Sequence, residues 1–254
     1  MSFCAIGKAV VSLTILLAKY AFTMPNQRTL LELDISNHHP GRITVLPSVK
    51  NPGGTNYAVR RNSNFSHVIG AVFDEGELIV EGDKNAMSRY VLVRIREDGS
   101  KYVRVMTRYR ECRRFLSYIQ EFSKGIGEPK YKKVSRELMT LDVLDQKTDE
   151  TIQVTSRMGS EPDMPVKEYC VQPKLLDKVV IGAVTYGNYL VEDKVSGLIS
   201  RKVIWEGGEY YPRIIIQSQY KDSKETEAKY EFNMGKVDKF SIYEIKTVSL
   251  SVRG

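Results

Sequence analysis

A pentapeptide that occurs twice constrains the fold more than any other feature of the sequence. Val68-Ile69-Gly70-Ala71-Val72 recurs as Val180-Ile181-Gly182-Ala183-Val184, 112 positions later. Three further blocks recur in the same order, at offsets that stay between 108 and 112. They pair Leu31–Ile35 with Met139–Val143, Gly76–Glu81 with Gly187–Glu192, and Tyr102–Val105 with Tyr211–Ile214. The order predicts two diverged copies of one module, at 29–106 and 137–217, each the size of a small domain.

The local patterns predict β structure in both copies. Leu31, Leu33 and Ile35 alternate with polar residues, as in a half-buried strand. Asp98-Gly99 lies between two alternating apolar runs and indicates a tight hairpin, because both residues tolerate a positive φ. Further strands are predicted at Ile43–Leu46, Thr151–Val154, Val203–Trp205, Tyr210–Ile216 and, in a C-terminal extension over 218–254, Phe240–Val252.

One segment shows helical spacing. Within Arg110–Phe122 the apolar residues are Cys112, Phe115, Leu116, Ile119 and Phe122, which fall on one face of a helix. Lys124–Pro129 contains two glycines and a proline, which end a helix. The predicted fold is therefore mainly β with a minor α part: two tandem copies of an antiparallel β module, joined by a basic helix and linker over 107–136.

The N-terminus has the pattern of a secretory signal peptide. Residues 1–23 contain no acid, and Lys8 precedes the apolar run Ala9–Ala18, which is too short for a membrane span. An N-terminal helix of an intracellular protein is the alternative. The last residues lack the apolar tail of a lipid-anchor signal, so we expect a mature chain without a membrane anchor, either released or held at a surface by a partner.

Removal of residues 1–23 leaves two cysteines and one glycosylation sequon. Cys112 and Cys170 can pair in an oxidising compartment, and two separate buried thiols are the alternative. Asn64-Phe65-Ser66 makes Asn64 a candidate glycosylation site.

No catalytic or metal-binding motif stands out, and we predict no catalytic residue and no cofactor. His38 and His39 are adjacent, so on a strand they would point to opposite faces. Asp34 and Asp142 occupy equivalent positions in the two predicted copies. An acid on the solvent face of a strand recurs whenever the module recurs, so the pair does not indicate a catalytic site.

Basic residues concentrate between the copies. The whole chain has a net charge of +7, and from Lys101 to Arg136 eleven basic residues face three acids. The candidate site for an anionic ligand comprises Arg108, Arg110, Arg113, Arg114, Lys130, Lys132 and Lys133. Such a patch suits phosphate or sulfate groups of a nucleic acid, a lipid or a glycan. A solvated helix face is the simpler interpretation, because no nucleic-acid-binding motif accompanies the patch.

The repeat resembles a known family. Leu33-Asp34-Ile35-Ser36, the Val-Ile-Gly core, Glu81-Gly82-Asp83 and a hairpin ending in Tyr102–Val105 resemble the FAINT-type repeats of Theileria and related piroplasms, including the merozoite surface antigen group. The resemblance covers about two thirds of the chain. It implies a secreted or surface-associated antigen without enzymatic activity, which binds a host or parasite protein or an anionic glycan or lipid.

Two other classes remain open. A viral structural or matrix protein would also be basic and rich in β structure, and would bind nucleic acid or membrane through Lys101–Arg136. A glycan hydrolase would need two carboxyl groups about 5–10 Å apart in a cleft.

Overall fold

The computed structural model describes residues 28–37, 41–49, 51, 53–112, 114–159, 165–208, 211–233 and 239–249. The predicted signal peptide, residues 1–23, lies outside them, as do His38, His39 and Arg113. The described residues form strands throughout, apart from loops and one turn of 3-10 helix at Pro173–Leu175. No helix among them is long and apolar enough to cross a membrane.

The first half, residues 28–133, contains nine strands. They are β1 (Thr29–Asp34), β2 (Ile43–Pro47), β3 (Gly54–Val59), β4 (His67–Asp74), β5 (Glu77–Val80), β6 (Ser88–Ile95), β7 (Lys101–Glu111), β8 (Arg114–Lys124) and β9 (Lys132–Lys133). A small sheet has the order β1-β4-β5, with β1 parallel to β4. A six-stranded antiparallel sheet has the order β2-β3-β6-β7-β8-β9.

The second half, residues 137–249, also contains nine strands. They are β10 (Glu137–Asp142), β11 (Ile152–Met158), β12 (Pro165–Val171), β13 (Val179–Tyr186), β14 (Tyr189–Glu192), β15 (Leu198–Glu206), β16 (Arg213–Tyr220), β17 (Lys224–Asn233) and β18 (Lys239–Ser249). Its sheets have the orders β10-β13-β14 and β11-β12-β15-β16-β17-β18, with β10 parallel to β13. The two halves have the same strand order, because each strand of the second half takes the place of the strand numbered nine lower in the first half.

In each half the small sheet packs on one face of the large sheet. The core of the first half joins Leu33 and Ile69 of the small sheet to Val103 and Phe122 of the large one. The second core is built in the same way, with Leu141 and Ile181 packed among residues such as Val203, Ile214 and Tyr230. The alternating residues of the sequence thus bury one face of each strand, as a two-layer β structure requires.

The repeated glycine lies where two strands approach closely. A Cβ atom on Gly70 would lie 2.9 Å from the Cβ atom of Leu30 in the parallel neighbour β1. A Cβ atom on Gly182 would lie 3.2 Å from the Cβ atom of Leu138 in β10. Only glycine fits without displacement at the first position, which explains why the apolar run of β4 is interrupted there.

The prediction of a mainly β fold is confirmed, but the helix over Arg110–Phe122 is wrong. These residues form the end of β7, a turn and most of β8, and the two strands pair without a break from Lys101–Lys124 to Glu111–Arg114. Aromatic and β-branched side chains such as Phe115 and Ile119 favour a pleated sheet. Their spacing also fits a helix, because a short apolar run does not distinguish the two.

The hairpin predicted at Asp98-Gly99 is confirmed. It joins β6 to β7, and Gly99 has a φ of 81°. The strands predicted at Ile43–Leu46, Thr151–Val154 and Phe240–Val252 correspond to β2, β11 and β18. The C-terminal residues contribute β17 and β18 to the second large sheet.

Candidate functional site

The turn between β7 and β8 presents a group of basic and aromatic side chains. The group, called here the hairpin tip, consists of Arg108, Arg110, Arg114, Phe115, Leu116 and Tyr118. Arg110 lies opposite Phe115 across the two strands, and the Arg108 guanidinium carbon lies 4.5 Å from the centre of the Phe115 ring. This stacking of a cation on a ring holds both side chains on one face of the hairpin.

The apolar part of the tip faces solvent. Phe115 is 53% exposed, Leu116 47% and Tyr118 45%, whereas Ile119 is buried. The hairpin thus runs beyond the core, which ends on β7 at the buried Thr107. Isolated exposed apolar residues are common, but this projecting hairpin carries them on both faces, Phe115 on one and Leu116 and Tyr118 on the other, so a partner can contact either face.

The tip carries uncompensated positive charge. Among the described residues, Arg108, Arg110 and Arg114 form no ion pair. Glu111 lies opposite Arg114 across the strands and is the one acid within the described part of the turn. The tip therefore combines aromatic area with a positive potential, and arginine and aromatic side chains are the residue types enriched at protein interfaces.

The structure divides the predicted basic patch into two groups. Lys132 and Lys133 lie in β9, which pairs with Ser123 and Phe122 near the far end of β8. Eight residues of strand separate Arg114 from Phe122, or about 27 Å. Lys132 also forms an ion pair with Glu128, at 2.6 Å. Lys130, Lys132 and Lys133 are therefore not part of the hairpin tip.

Two further arginines of the basic segment are internal. The carboxylate of Glu121, on β8, accepts hydrogen bonds from Arg136 at 2.8 and 3.0 Å and from Arg104 at 3.1 Å. Tyr102 donates its hydroxyl hydrogen to the same carboxylate. Burial by itself would raise the pKa of Glu121, but the hydrogen bonds and the two positive charges outweigh it, so the pKa lies below its ordinary value.

This ion cluster also joins the two halves. Arg136 donates a hydrogen bond to the backbone carbonyl of Leu176, at 2.6 Å, and Arg96 forms an ion pair with Asp177, at 2.8 Å. The backbone N–H of Ile119 donates to the carbonyl of Lys221, in the turn between β16 and β17. A cleft of about 270 Å³ lies at this junction. Most of its charged groups neutralise one another, so we treat the junction as structural.

The remaining candidates occupy separate places. Cys112 is exposed in the turn of the tip, with a φ of 53°, and Cys170 lies in β12; both are free thiols. Burial raises the pKa of the Cys170 thiol. Asn64 is exposed in the turn before β4, where a glycan could attach.

The two paired acids have local structural roles. Asp34 accepts a hydrogen bond from the backbone N–H of Ser36, and Asp142 accepts one from that of Leu144, each at 3.0 Å. Each carboxylate thus holds the loop that follows its strand, and no group of three or more histidine, cysteine or acidic side chains in the described part of the chain could hold a metal ion.

Sequence reasoning missed a pair of buried arginines. Arg89 donates hydrogen bonds to the carbonyls of Gly70 and Glu81 and to the Thr107 hydroxyl. Arg201 does the same to the carbonyls of Gly182 and Lys194 and to the Ser218 hydroxyl. A signal was present, because each arginine follows the repeated glycine by 19 residues.

Comparison of the chain with models of protein families, with curated proteins and with solved structures found no match.

Proposed function

We propose that this chain is a non-enzymatic binding protein, secreted or attached at a parasite surface, whose hairpin tip binds an acidic protein of the host interface. The observation that carries the proposal is the tip itself, where exposed Phe115 shares one face of the hairpin with Arg108 and Arg110, and exposed Leu116 shares the other face with Arg114. Aromatic and arginine anchors supply most of the energy of many protein interfaces. The resemblance to FAINT-type antigens supports the same role and the same location.

We also propose that the two halves are diverged copies of one module. Three observations support this: the sheet orders differ by a constant nine strands, Gly70 and Gly182 meet a leucine of the parallel neighbour, and Arg89 and Arg201 bind the carbonyls of those glycines. The N-terminal and C-terminal halves thus provide two versions of the same hairpin for comparison.

That comparison favours a binding role for the tip. In the first half ten residues, 108–117, separate the paired residues Thr107 and Tyr118. In the second half seven residues, 219–225, separate Ser218 from Thr226, and none of them is a large aliphatic residue or a phenylalanine. The fold thus closes this hairpin with a shorter, polar turn. Closing the turn therefore does not explain the extra length and the apolar residues of the first hairpin, which supports a binding role for them.

The second turn also contacts the first half through its backbone. Ser223 is buried in the turn between β16 and β17, and the neighbouring Lys221 carbonyl accepts the hydrogen bond from Ile119 of the first half. The tip residues Arg110, Arg114 and Phe115 are exposed. The second turn is thus partly engaged with the first half, although Lys221, Asp222 and Lys224 in it are exposed.

The test measures binding of the labelled full chain to intact host cells. We expect binding to fall about tenfold or more in two variants, R110E/R114E and F115S/L116S, because each removes one component of the contact. R60E/R61E is the matched control, since it reverses an exposed arginine pair in the turn after β3 and should bind like the wild type.

Three treatments separate the classes of partner. Trypsin treatment of the cells should abolish binding if the partner is a protein. Binding that survives trypsin and is lost after heparinase, or that is reproduced on vesicles containing phosphatidylserine, would overturn the proposal in favour of a glycan or a lipid. Equal binding by wild type and both tip variants would also contradict it.

A further inference from the structure

The last strand of the second large sheet has an open edge. β18 contains eleven residues, Lys239–Ser249, and ends the sheet order beyond β17. Among the described strands none pairs with its outer edge. Its counterpart in the first half, β9, has two residues. A long edge strand exposes a row of unpaired N–H and C=O groups and is a template for another strand.

Four apolar side chains of this strand are exposed. Ile245 is 61% exposed and Val248 59%, and Ile242 and Tyr243 are exposed as well. Proteins commonly protect such an edge with lysine, proline or a bulge, and here exposed Lys246 and an irregularity near Tyr243 leave the apolar residues of the strand accessible. The pairing of β18 with β17 is regular from Glu244 to Ser249, and its irregularity lies before Glu244. The segment from Glu244 onward is therefore a straight and partly apolar edge.

The charges of this segment favour a second copy as the partner, in the one register that places Glu244 opposite Lys246. Pairing of two copies about a two-fold axis normal to the sheet keeps each side chain on its own face, so opposite residues must be an even number apart. With the axis at Ile245, each Glu244 lies opposite a Lys246 of the other copy. An axis one residue away would place Glu244 opposite Glu244, or Lys246 opposite Lys246, and like charges directly opposite are unfavourable.

We propose that two copies of this chain pair edge to edge through β18, antiparallel, with Ile245 on the two-fold axis, and so form one continuous twelve-stranded sheet. The two Ile245 side chains cover each other on one face of the sheet. On the other face, two symmetric Glu244–Lys246 pairs extend the ion pairs that each Glu244 already forms with Lys229 and Lys246 of its own chain, at 2.6 and 2.8 Å. This proposal is independent of the hairpin tip, which lies in the other half of the chain.

Disulfide trapping tests the register. Directly opposite residues of an antiparallel pair have Cα atoms about 4.5–5.5 Å apart, within disulfide reach. In a C4S/C112S/C170S background, I245C should therefore form a covalent dimer on mild oxidation. V248C is the matched control, because Val248 is equally exposed but would lie roughly 20 Å from its own copy. Equal cross-linking of both variants, or none of I245C, would overturn the proposal.

Substitutions that reverse the charges of Glu244 and Lys246 test whether the partner is a second copy of the chain. We expect sedimentation equilibrium of the full chain to show a monomer–dimer equilibrium at micromolar concentration. K246E should raise the dimer dissociation constant roughly tenfold, because it places two acids opposite each other at both pairs. An equimolar mixture of K246E and E244K should restore a dimer, because each lysine then lies opposite an acid of the other copy while the changes inside each chain stay the same. K239E, outside the matched segment, should leave the dimer unchanged. A chain that stays monomeric, or a dimer that K246E does not weaken, would contradict the proposal.

Discussion

The guanidinium of Arg89 donates a hydrogen bond to the backbone carbonyl of Gly70 and so ties the large sheet of the first half to its small sheet. Arg89 is buried, and desolvation lowers its pKa below the ordinary value. Among the described residues no carboxylate forms an ion pair with Arg89. Backbone carbonyl oxygens therefore accept the hydrogen bonds of the buried guanidinium.

Removal of this arginine should destabilise the protein. R89A would leave the carbonyls of Gly70 and Glu81 without their donors and open a cavity between the sheets, and we expect a loss of about 2–4 kcal/mol in the free energy of unfolding. R94A, on the same strand but partly exposed and without a salt bridge, should cost less than about 1 kcal/mol. Denaturant unfolding measures both, and an equal loss in the two variants would contradict the assigned role.

Alanine at the two repeated glycines should have unequal effects. G70A places its methyl group 2.9 Å from the Leu30 Cβ atom, whereas G182A places it 3.2 Å from the Leu138 Cβ atom. We expect G70A to cost about 1–3 kcal/mol and G182A less. G41A is the control, since no atom lies within 4 Å of the added carbon. Thermal unfolding that ranks G182A as the more damaging change would refute this explanation.

Acid should weaken the junction between the halves. The pKa of Glu121 in the folded chain lies below the ordinary 4.5, because the hydrogen bonds and charges of Arg136 and Arg104 outweigh burial. Its contribution to stability is therefore complete above about pH 4.5 and is lost as the pH falls through the folded pKa. E121Q should cost about 3–5 kcal/mol at neutral pH, since it leaves buried arginines unpaired, and this cost should shrink in acid.

Urea unfolding of wild type and E121Q across this pH range measures the difference. E128Q serves as the control, because Glu128 lies in an exposed turn with Lys132. A cost of E121Q that stays constant from neutral to acidic pH would show that the ionised carboxylate is not what stabilises the junction.

Charge reversal at the hairpin tip should leave the fold intact. Arg110 and Arg114 are exposed and form no ion pair, so R110E/R114E should cost less than about 1 kcal/mol in the free energy of unfolding, mainly because R114E places an acid opposite Glu111. Circular dichroism and denaturant unfolding check this. A large destabilisation would mean that the tip has a structural role, and any loss of binding in this variant would then have a different cause.

The mature N-terminus should lie near Met24. Residues 1–23 have the charge and hydropathy pattern of a signal peptide, so the protein isolated from its native source should begin close to this position. N-terminal sequencing decides the point. A chain that begins at Met1 or Ser2 would favour an intracellular protein.

The strands and turns that depend on neighbouring residues in the sequence were predicted correctly. Alternation at Leu31–Ile35 and the Asp98-Gly99 turn correspond to β1 and to the turn between β6 and β7. The helix predicted over Arg110–Phe122 was wrong because the spacing of its apolar residues fits a helix, whereas its residue types fit a strand. Only the pairing with β7 decides between the two. The misassignment also hid the hairpin tip, since a helix would have placed Phe115 and Leu116 on a buried face.

Other features depend on tertiary contacts that no local pattern reports. Nothing near Arg89 in the sequence indicates that its guanidinium reaches the Gly70 carbonyl, and the one clue is that Arg89 follows Gly70, and Arg201 follows Gly182, by the same 19 residues. The open edge of β18 follows from the order of strands in the sheet, which a single strand does not encode.

The contact between Ile119 and Lys221 has a consequence for synthesis at the ribosome. The first half completes both of its sheets by Lys133, so its strands can assemble while the second half is still being translated. The edge of β8 at Ile119 then stays open until the chain has grown about a hundred residues further and the Lys221 carbonyl arrives. During this interval the open edge of β8 can pair with strands of other nascent chains that are translated from the same mRNA.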